Sequence, residues 1–307
     1  LSKAFDFGPA PQRITIEPEQ VRRLVKRQFP QWADLSIRPV ANDGWDNRTF
    51  HLGADMTVRL PSAAEYALAV GKEHRWLPAL APHLPLTIPV PLALGEPDAD
   101  YPHPWSIYQW LDGEPADAGQ IADPLQLAAD LAEFLKALRN IDPADGPRPG
   151  IHNWFRGGPL RTFEGFTHRA LAALDGHIDV GLARKIWKDA LDAPWDGTES
   201  WLHGDLAAGN ILLNDGLLAA VIDFGTCGVG DPSCDLAIAW TLLAAEARQT
   251  FRTHLSIDDT SWARGRGWAL WKTLDTYAST LKTNDRTESA TARRILSEIL
   301  SDHPANT

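Results

Sequence analysis

Asp205, Asn210 and Asp223 have the residue types and spacing for one kind of chemistry. Asp205 closes His203-Gly204-Asp205, Asn210 follows five positions later, and Asp223 opens Asp223-Phe224-Gly225. A carboxylate can accept the proton of an attacking hydroxyl. An amide oxygen and a second carboxylate can hold Mg2+ against the phosphates of a nucleotide. Mg2+ prefers hard oxygen ligands, few of them from protein, with phosphate and water completing its octahedron. A lone HGD or a lone DFG says little. The three parts in this order and at these intervals point to phosphoryl transfer, with Asp205 as base or hydroxyl-orienting group and Asn210 and Asp223 as metal ligands.

The elements that must position these residues are legible nearby. Apolar runs at 211–213 and 217–222 flank Asn214-Asp215-Gly216, and Asp-Gly between β-type runs predicts a hairpin. That hairpin delivers Asp223 beside the loop carrying Asp205 and Asn210. The stretch resembles the aminoglycoside phosphotransferase family on HGDLAAGN, VIDFG and GDPSCDL. The resemblance implies a small-molecule kinase with a protein-kinase-like fold. Gly204 stands where many protein kinases have arginine, which speaks against control by activation-loop phosphorylation.

Farther upstream, residues 35–60 read as strand, loop, strand, turn, strand. In kinases the first loop covers the phosphates and the third strand carries a basic residue. The loop here has one glycine, so G-x-G-x-x-G is absent, and alone it would pass for a polar hairpin. Standing about 160 residues before HGD, and with GWDNRTFHLG similar to the family's segment, it reads as a phosphate loop containing Gly44, Asp46, Asn47 and Arg48. Arg59 occupies the third strand where lysine is usual; a guanidinium can still pair with phosphate and carboxylate. Glu73, on a helix predicted over 63–80, is its expected partner. The strand over 105–111 is expected to end at a hinge where main-chain groups of Gln109 to Leu111 face the adenine.

Helices are expected over 18–29, 119–139, 163–175 and 178–191, and through most of 246–307. The segment 152–160, HNWFRGGPL, reads equally as a substrate-lining loop or a packed one. Ser233 is expected to cap a helix opening at 231–235, with Asp231 and Asp235 in structural roles. Trp262, Trp268, Trp271 and Tyr277 read as core rather than as a ligand box. The family resemblance implies acidic residues in the C-terminal helices that bind sugar amines; the candidates are Glu246, Asp258, Asp259, Asp275, Glu298 and Asp302.

The 307 residues suit two lobes, and 44% hydrophobic with 22% charged residues is a globular composition. A net charge of −11 argues against nucleic acid or an anionic membrane as the main partner, and is compatible with a cationic substrate. Two cysteines, Cys227 and Cys234, make neither a disulfide framework nor a zinc site, and point to the cytoplasm. No apolar run reaches the ~18 residues of a membrane span, and the first dozen residues lack a signal-peptide pattern.

The expected fold is therefore α+β and two-lobed, protein-kinase-like, with a nucleotide lobe over 1–111 and a catalytic and substrate lobe over 112–307. The expected reaction passes a phosphoryl group from ATP or GTP, with Mg2+, to a hydroxyl of a small molecule. An aminoglycoside-like antibiotic leads the substrate classes. A macrolide, a choline-like or sugar metabolite, and a homoserine-like compound are the alternatives. A catalytically inactive nucleotide-binding protein is the alternative of another class, against which the complete polar set speaks.

Overall fold

The computed structural model describes residues 8–41 and 44–303. The start of the N-terminal arm and Asn42-Asp43 of the phosphate loop lie outside the described residues. The N-terminal part comprises α1 (Pro18–Gln28), β1 (Ile37–Pro39), β2 (Asn47–Leu52), β3 (Met56–Pro61), α2 (Ala64–Leu80), β4 (Pro91–Gly95) and β5 (Trp105–Gln109). Its strands form one antiparallel sheet in the order β1-β2-β3-β5-β4. Side chains alternate across a strand, and β3 uses both faces. Val58 and Leu60 join Val21, Leu24 and Val25 of α1 in one core. Arg59 points the other way, to the face where Glu73 of α2 waits.

Two boundaries differ from the sequence reading. The sequence reads as proline-rich and extended over 82–91 and assigns no strand beyond it, yet Pro91–Gly95 forms the edge strand β4. Proline is tolerated there because Pro91 opens an edge strand and needs to donate no ladder hydrogen bond. The long helix α3 (Pro124–Arg139) starts five residues later than expected from 119. Asp123 caps it through Leu125 N and Gln126 N, and Pro124 fits the first turn. The preceding residues instead turn back, with Ala122 N donating to Gly216 O at 3.0 Å.

The remaining elements are β6 (Glu114–Pro115) before α3, then α4 (Glu164–Ala173), α5 (Val180–Asp192), β7 (Ser200–Leu202), β8 (Ile211–Asn214), β9 (Leu217–Val221), β10 (Gly228–Gly230), α6 (Ile238–Thr241), α7 (Ala245–His254), α8 (Asp259–Thr283) and α9 (Arg286–Ser301). The predicted hairpin is β8–β9, and Asp215 and Gly216 both have positive φ, 50° and 78°. The 25-residue α8 packs against α4, α5, α9 and the turn at 232–237. Gly265 and Gly267 permit this approach, since an added Cβ at either would stand 2.5 Å from the side chain of Leu236 or of Ala190. Core glycine in a helix costs about 1 kcal/mol in propensity, which the closer packing offsets.

Ion pairs tie the C-terminal helices together. Arg248, buried on α7, meets Glu298 at 2.6 Å and Asp302 at 3.5 Å. Arg266 of α8 meets Asp302 at 2.9 Å, and Trp240 Nε1 donates to the same carboxylate at 3.1 Å. Asp302→Ala leaves two largely buried guanidinium groups short of a counter-charge. It is expected to destabilise the fold by about 3 kcal/mol, read as a lower urea midpoint with an unchanged slope.

Candidate active site

The loop 203–210 is shaped by a buried aspartate and a buried histidine. Asp235 accepts from His203 N at 2.9 Å and Gly204 N at 2.7 Å, so the two successive amides share one carboxylate. Asp235 thus contacts the loop directly and holds its backbone, a structural role. Asp231, not Ser233, is the cap of the 232–237 turn, accepting from Ser233 N at 3.0 Å and pairing with Arg264 at 2.7 Å. His203 sits with Nε2 2.9 Å from Ile222 O and Nδ1 3.3 Å from Asp205 N. A carbonyl only accepts and an amide only donates, so the ring is protonated on Nε2 and clamps Asp205 to the residue before Asp223. Gly204 has φ +87°, and an added Cβ would stand 2.5 Å from Thr226 O. Only glycine fits this crossing of the two loops.

Asn210 closes the triangle. Its Nδ2 donates to Asp205 O at 2.9 Å, and its own carbonyl accepts from Ile222 N at 2.9 Å. The Oδ1 atom is thereby left as the side chain's acceptor. Asp223 follows in the left-handed region at φ 63°. Its Oδ1 accepts from Arg59 Nη2 at 2.8 Å. Arg59 Nη1 lies 3.8 Å from Glu73 Oε1, and Glu73 Oε2 accepts from the Tyr108 hydroxyl at 2.7 Å. Burial works against the Arg59 charge, but Asp223 and Glu73 outweigh it and raise its affinity for the proton. The structure thus brings together Arg59, Glu73, Asp205, Asn210 and Asp223, drawn from positions far apart in the chain.

Of the expected phosphate-loop residues, Asp46 lies within the electrostatic reach of Asp223, Asp205 and Arg59. Asp46 is fixed by its carbonyl, which accepts from Ser62 N at 2.8 Å and Ser62 Oγ at 3.0 Å. Asn47 opens β2, and Arg48 Nη1 reaches Gly44 O at 3.2 Å. Trp45 is 69% exposed on this loop. Gln109 ends β5 opposite Met56, and Trp110 N donates to Asp55 O at 2.8 Å. Peptide groups alternate in direction along a strand, so the flanking peptides of Gln109 and Leu111 face the opposite edge.

Three cationic residues of the site escaped the sequence reading. Lys72, next to Glu73, is buried with its ammonium on Gly225 O at 2.7 Å, Cys227 O at 2.9 Å and His152 O at 3.4 Å. Its position one residue before the predicted Glu73 was the only available signal. Lys272, a lone lysine after Trp271 on α8, forms an ion pair with Asp205 Oδ1. Arg156, from the segment that read two ways, donates from Nε to Gly204 O at 3.0 Å and lies over the rings of Trp271 (4.8 Å), Phe163 (5.6 Å) and Trp268 (5.7 Å).

Asp205, Lys272 and Arg156 stand on the wall of a cavity of about 570 Å³ between loop 204–209, α8 and α9. Trp268 and Trp271 line it as well, so these tryptophans serve as both core and pocket wall. None of the six acidic candidates for amine binding lines it. Glu298 and Asp302 hold Arg248 and Arg266, Asp258 caps α8 through Ser261 N, and Asp259 pairs with Arg252. Asp275 and Glu246 lie on α8 and α7 outside the lining. Asp205 is held down to about 2: burial opposes its charge, but Lys272 and Arg156 more than compensate.

The sequence profile described as the phosphotransferase enzyme family matches residues 36–268. The chain belongs to that family. It is an enzyme that transfers phosphate to a hydroxyl. No curated protein sequence matches this phosphotransferase. Among solved structures it resembles aminoglycoside 2'-phosphotransferase-IIIa in its GDP complex (TM-score 0.69, 18% identity, 94% of this chain and 99% of that one). It also resembles APH(2'')-IIa in a ternary complex with streptomycin and ATP (0.60, 18%, 94% and 98%). A third is the macrolide 2'-phosphotransferase MphH from Brachybacterium faecium (0.59, 21%, 90% and 98%). At these identities the likeness shows a common fold: a small antiparallel sheet followed by a mainly helical part.

Two outcomes test the electrostatics of this phosphotransferase. Removing the ammonium in Lys72→Met strips three carbonyls of their donor. The variant is expected to lose about 2 kcal/mol and to exchange amide hydrogens faster over residues 224–228; unchanged protection there would contradict the contact. Burial, reinforced by the negative charges of Asp223 and Asp205, pushes the Asp46 carboxyl up to about 7, against about 3.9 in the unfolded chain. The folded state therefore binds the extra proton between those values, and stability from this group falls as pH rises from about 4 to about 7. Asp46→Asn is expected to flatten that decline, measured as melting temperature against pH.

Proposed function

We propose that this enzyme transfers the γ-phosphoryl group of ATP or GTP to a hydroxyl of a small molecule seated in the cavity beside Asp205. The observation that carries this reading is that Asp205 lines the cavity while its loop is hydrogen-bonded, through Asn210 and Ile222, to Asp223 and thence to Arg59. One chain of contacts thus runs from an acceptor-sized space to a cationic, carboxylate-lined nucleotide site.

In this reading residues 1–111 hold the nucleotide and 112–307 hold the acceptor. The Gln109 to Leu111 main chain meets the base, and Gly44, Asp46, Asn47 and Arg48 cover the phosphates. Arg59, held by Glu73 and Asp223, pairs with phosphate oxygens. The donor set fits Mg2+: Asn210 has only its Oδ1 left over, and Asp223 keeps Oδ2 beyond the oxygen bonded to Arg59. Bound there, Mg2+ supplies charge neutralisation on the phosphates. Asp205 is ionised throughout the physiological range. Its carboxylate accepts the hydrogen bond of the acceptor hydroxyl, aims the oxygen at the phosphorus, and takes the proton as the new P–O bond forms and the bond from the γ-phosphorus to the β–γ bridging oxygen breaks, releasing the nucleoside diphosphate. Positioning and charge neutralisation do most of the work.

The chain's described residues contain no helix long and apolar enough to cross a membrane. With both cysteines buried and unpaired, a reducing cytoplasmic setting suits the protein. The test is a panel of hydroxylated compounds, aminoglycosides and macrolides included, incubated with Mg-ATP or Mg-GTP and read by mass spectrometry for a phosphorylated product. Asp205→Ala is expected to cut turnover by about 10²–10⁴-fold with nucleotide affinity nearly unchanged. Asp223→Ala is expected to abolish metal-dependent turnover. An Asp205→Ala enzyme that keeps most of its rate removes the assigned base.

A further inference from the structure

The end of the cavity next to Asp205 holds more positive than negative charge. Lys272 already pairs with the Asp205 carboxylate. Arg156 flanks it from the other side, anchored by a single bond from Nε to Gly204 O and enclosed by three aromatic rings. Its Nη1 is fully buried and has no hydrogen-bond partner among the described residues. A buried guanidinium N–H without an acceptor is costly, and guanidinium is the cation best matched to planar oxyanions. The other charged lining residues are Asp117, Glu288 and Arg294. All three are exposed, so solvent screens them.

An acceptor ammonium arriving at Asp205 would have to displace Lys272 or sit between two cations. An oxyanion in the same place would feel the charge of both cations. We propose that the acceptor of this site is a hydroxylated oxyanion, an alcohol carrying a carboxylate or phosphate near the reacting hydroxyl. Lys272, with Arg156, is the specificity-determining residue that selects it over an amine-bearing alcohol. This rests on the cavity being the acceptor site. It sets the chain apart from the aminoglycoside binders that share its fold, through residues on α8 and in segment 152–160 rather than through the motifs around Asp205.

Sugars on one pyranose frame isolate the charge: glucuronate, glucose 6-phosphate, glucose and glucosamine. Their binding to the full chain is measured by calorimetric competition, for the wild type, Lys272→Gln and Lys272→Glu, each checked by melting for an intact fold. Lys272 is chosen because it is only part-buried, whereas Arg156 is enclosed by the core. The wild type is expected to bind glucuronate or glucose 6-phosphate at least about tenfold more tightly than glucosamine. Which of the two binds better distinguishes carboxylate from phosphate as the recognised group. The ratio is expected to fall about tenfold in Lys272→Gln and to invert in Lys272→Glu. Equal or tighter binding of glucosamine by the wild type overturns the proposal, as does failure of all four sugars to bind. A preference that neither variant moves also overturns it, and so does a Lys272→Gln effect confined to ATP affinity. Phosphorylated product is followed separately. Charge-selective binding with no product from any alcohol would keep the binding proposal and remove the phosphotransfer reading of the cavity.

Discussion

A buried carboxylate accepting two consecutive backbone amides is the constraint on which the site depends. Asp235 fixes the peptides of His203 and Gly204, and with them the direction in which Asp205 leaves the loop. An unpaired carboxylate at that depth would be costly, and unpaired amides would be as well. Each therefore holds the other, and the loop has one conformation. His203 extends the constraint, because its ring joins Asp205 N to Ile222 O and so sets the separation between Asp205, on the cavity wall, and Asp223. Burial of the ring against Phe224, at 4.6 Å between centroids, keeps water from competing for either bond.

Charge follows the same division of labour. Although the chain carries a net charge of −11, its acidic groups are not gathered at the cavity. Beside β3 Arg59 balances Glu73 and Asp223, and burial raises the Asp46 carboxyl. On the cavity side Lys272 and Arg156 exceed Asp205. Glu298 and Asp302, at the end of α9, neutralise the buried Arg248 and Arg266, which helps a charged helical region remain packed. Net charge is a property of the surface and says little about one concave site.

Motif spacing carried the sequence reading where the chemistry is local. His203 to Asn210 and the β8–β9 hairpin form one continuous segment, so residue order implies proximity. Arg59 and Glu73 were reachable because the kinase pattern expects a basic residue on the third strand and a carboxylate partner on the helix after it. Lys272, Arg156 and Lys72 were not, because each acts through a tertiary contact with a segment between 48 and 155 residues away and no local pattern encodes the partner. The same limit explains the acidic residues of the C-terminal helices. A carboxylate on a helix looks alike in sequence whether it faces a ligand or a buried guanidinium. Boundaries slipped where capping overrode periodicity, at Asp123, and where an edge strand tolerated proline, at Pro91.

The position of Lys72 bears on how α2 can move. Its ammonium is seated on carbonyls of residues 225 and 227 and of residue 152, so α2 is fastened to the loop that follows Asp223. Swinging this helix outward would take the part-buried ammonium away from all three of its acceptors at once. Any displacement of α2 would therefore have to carry residues 152 and 225–227 with it or give up these three bonds.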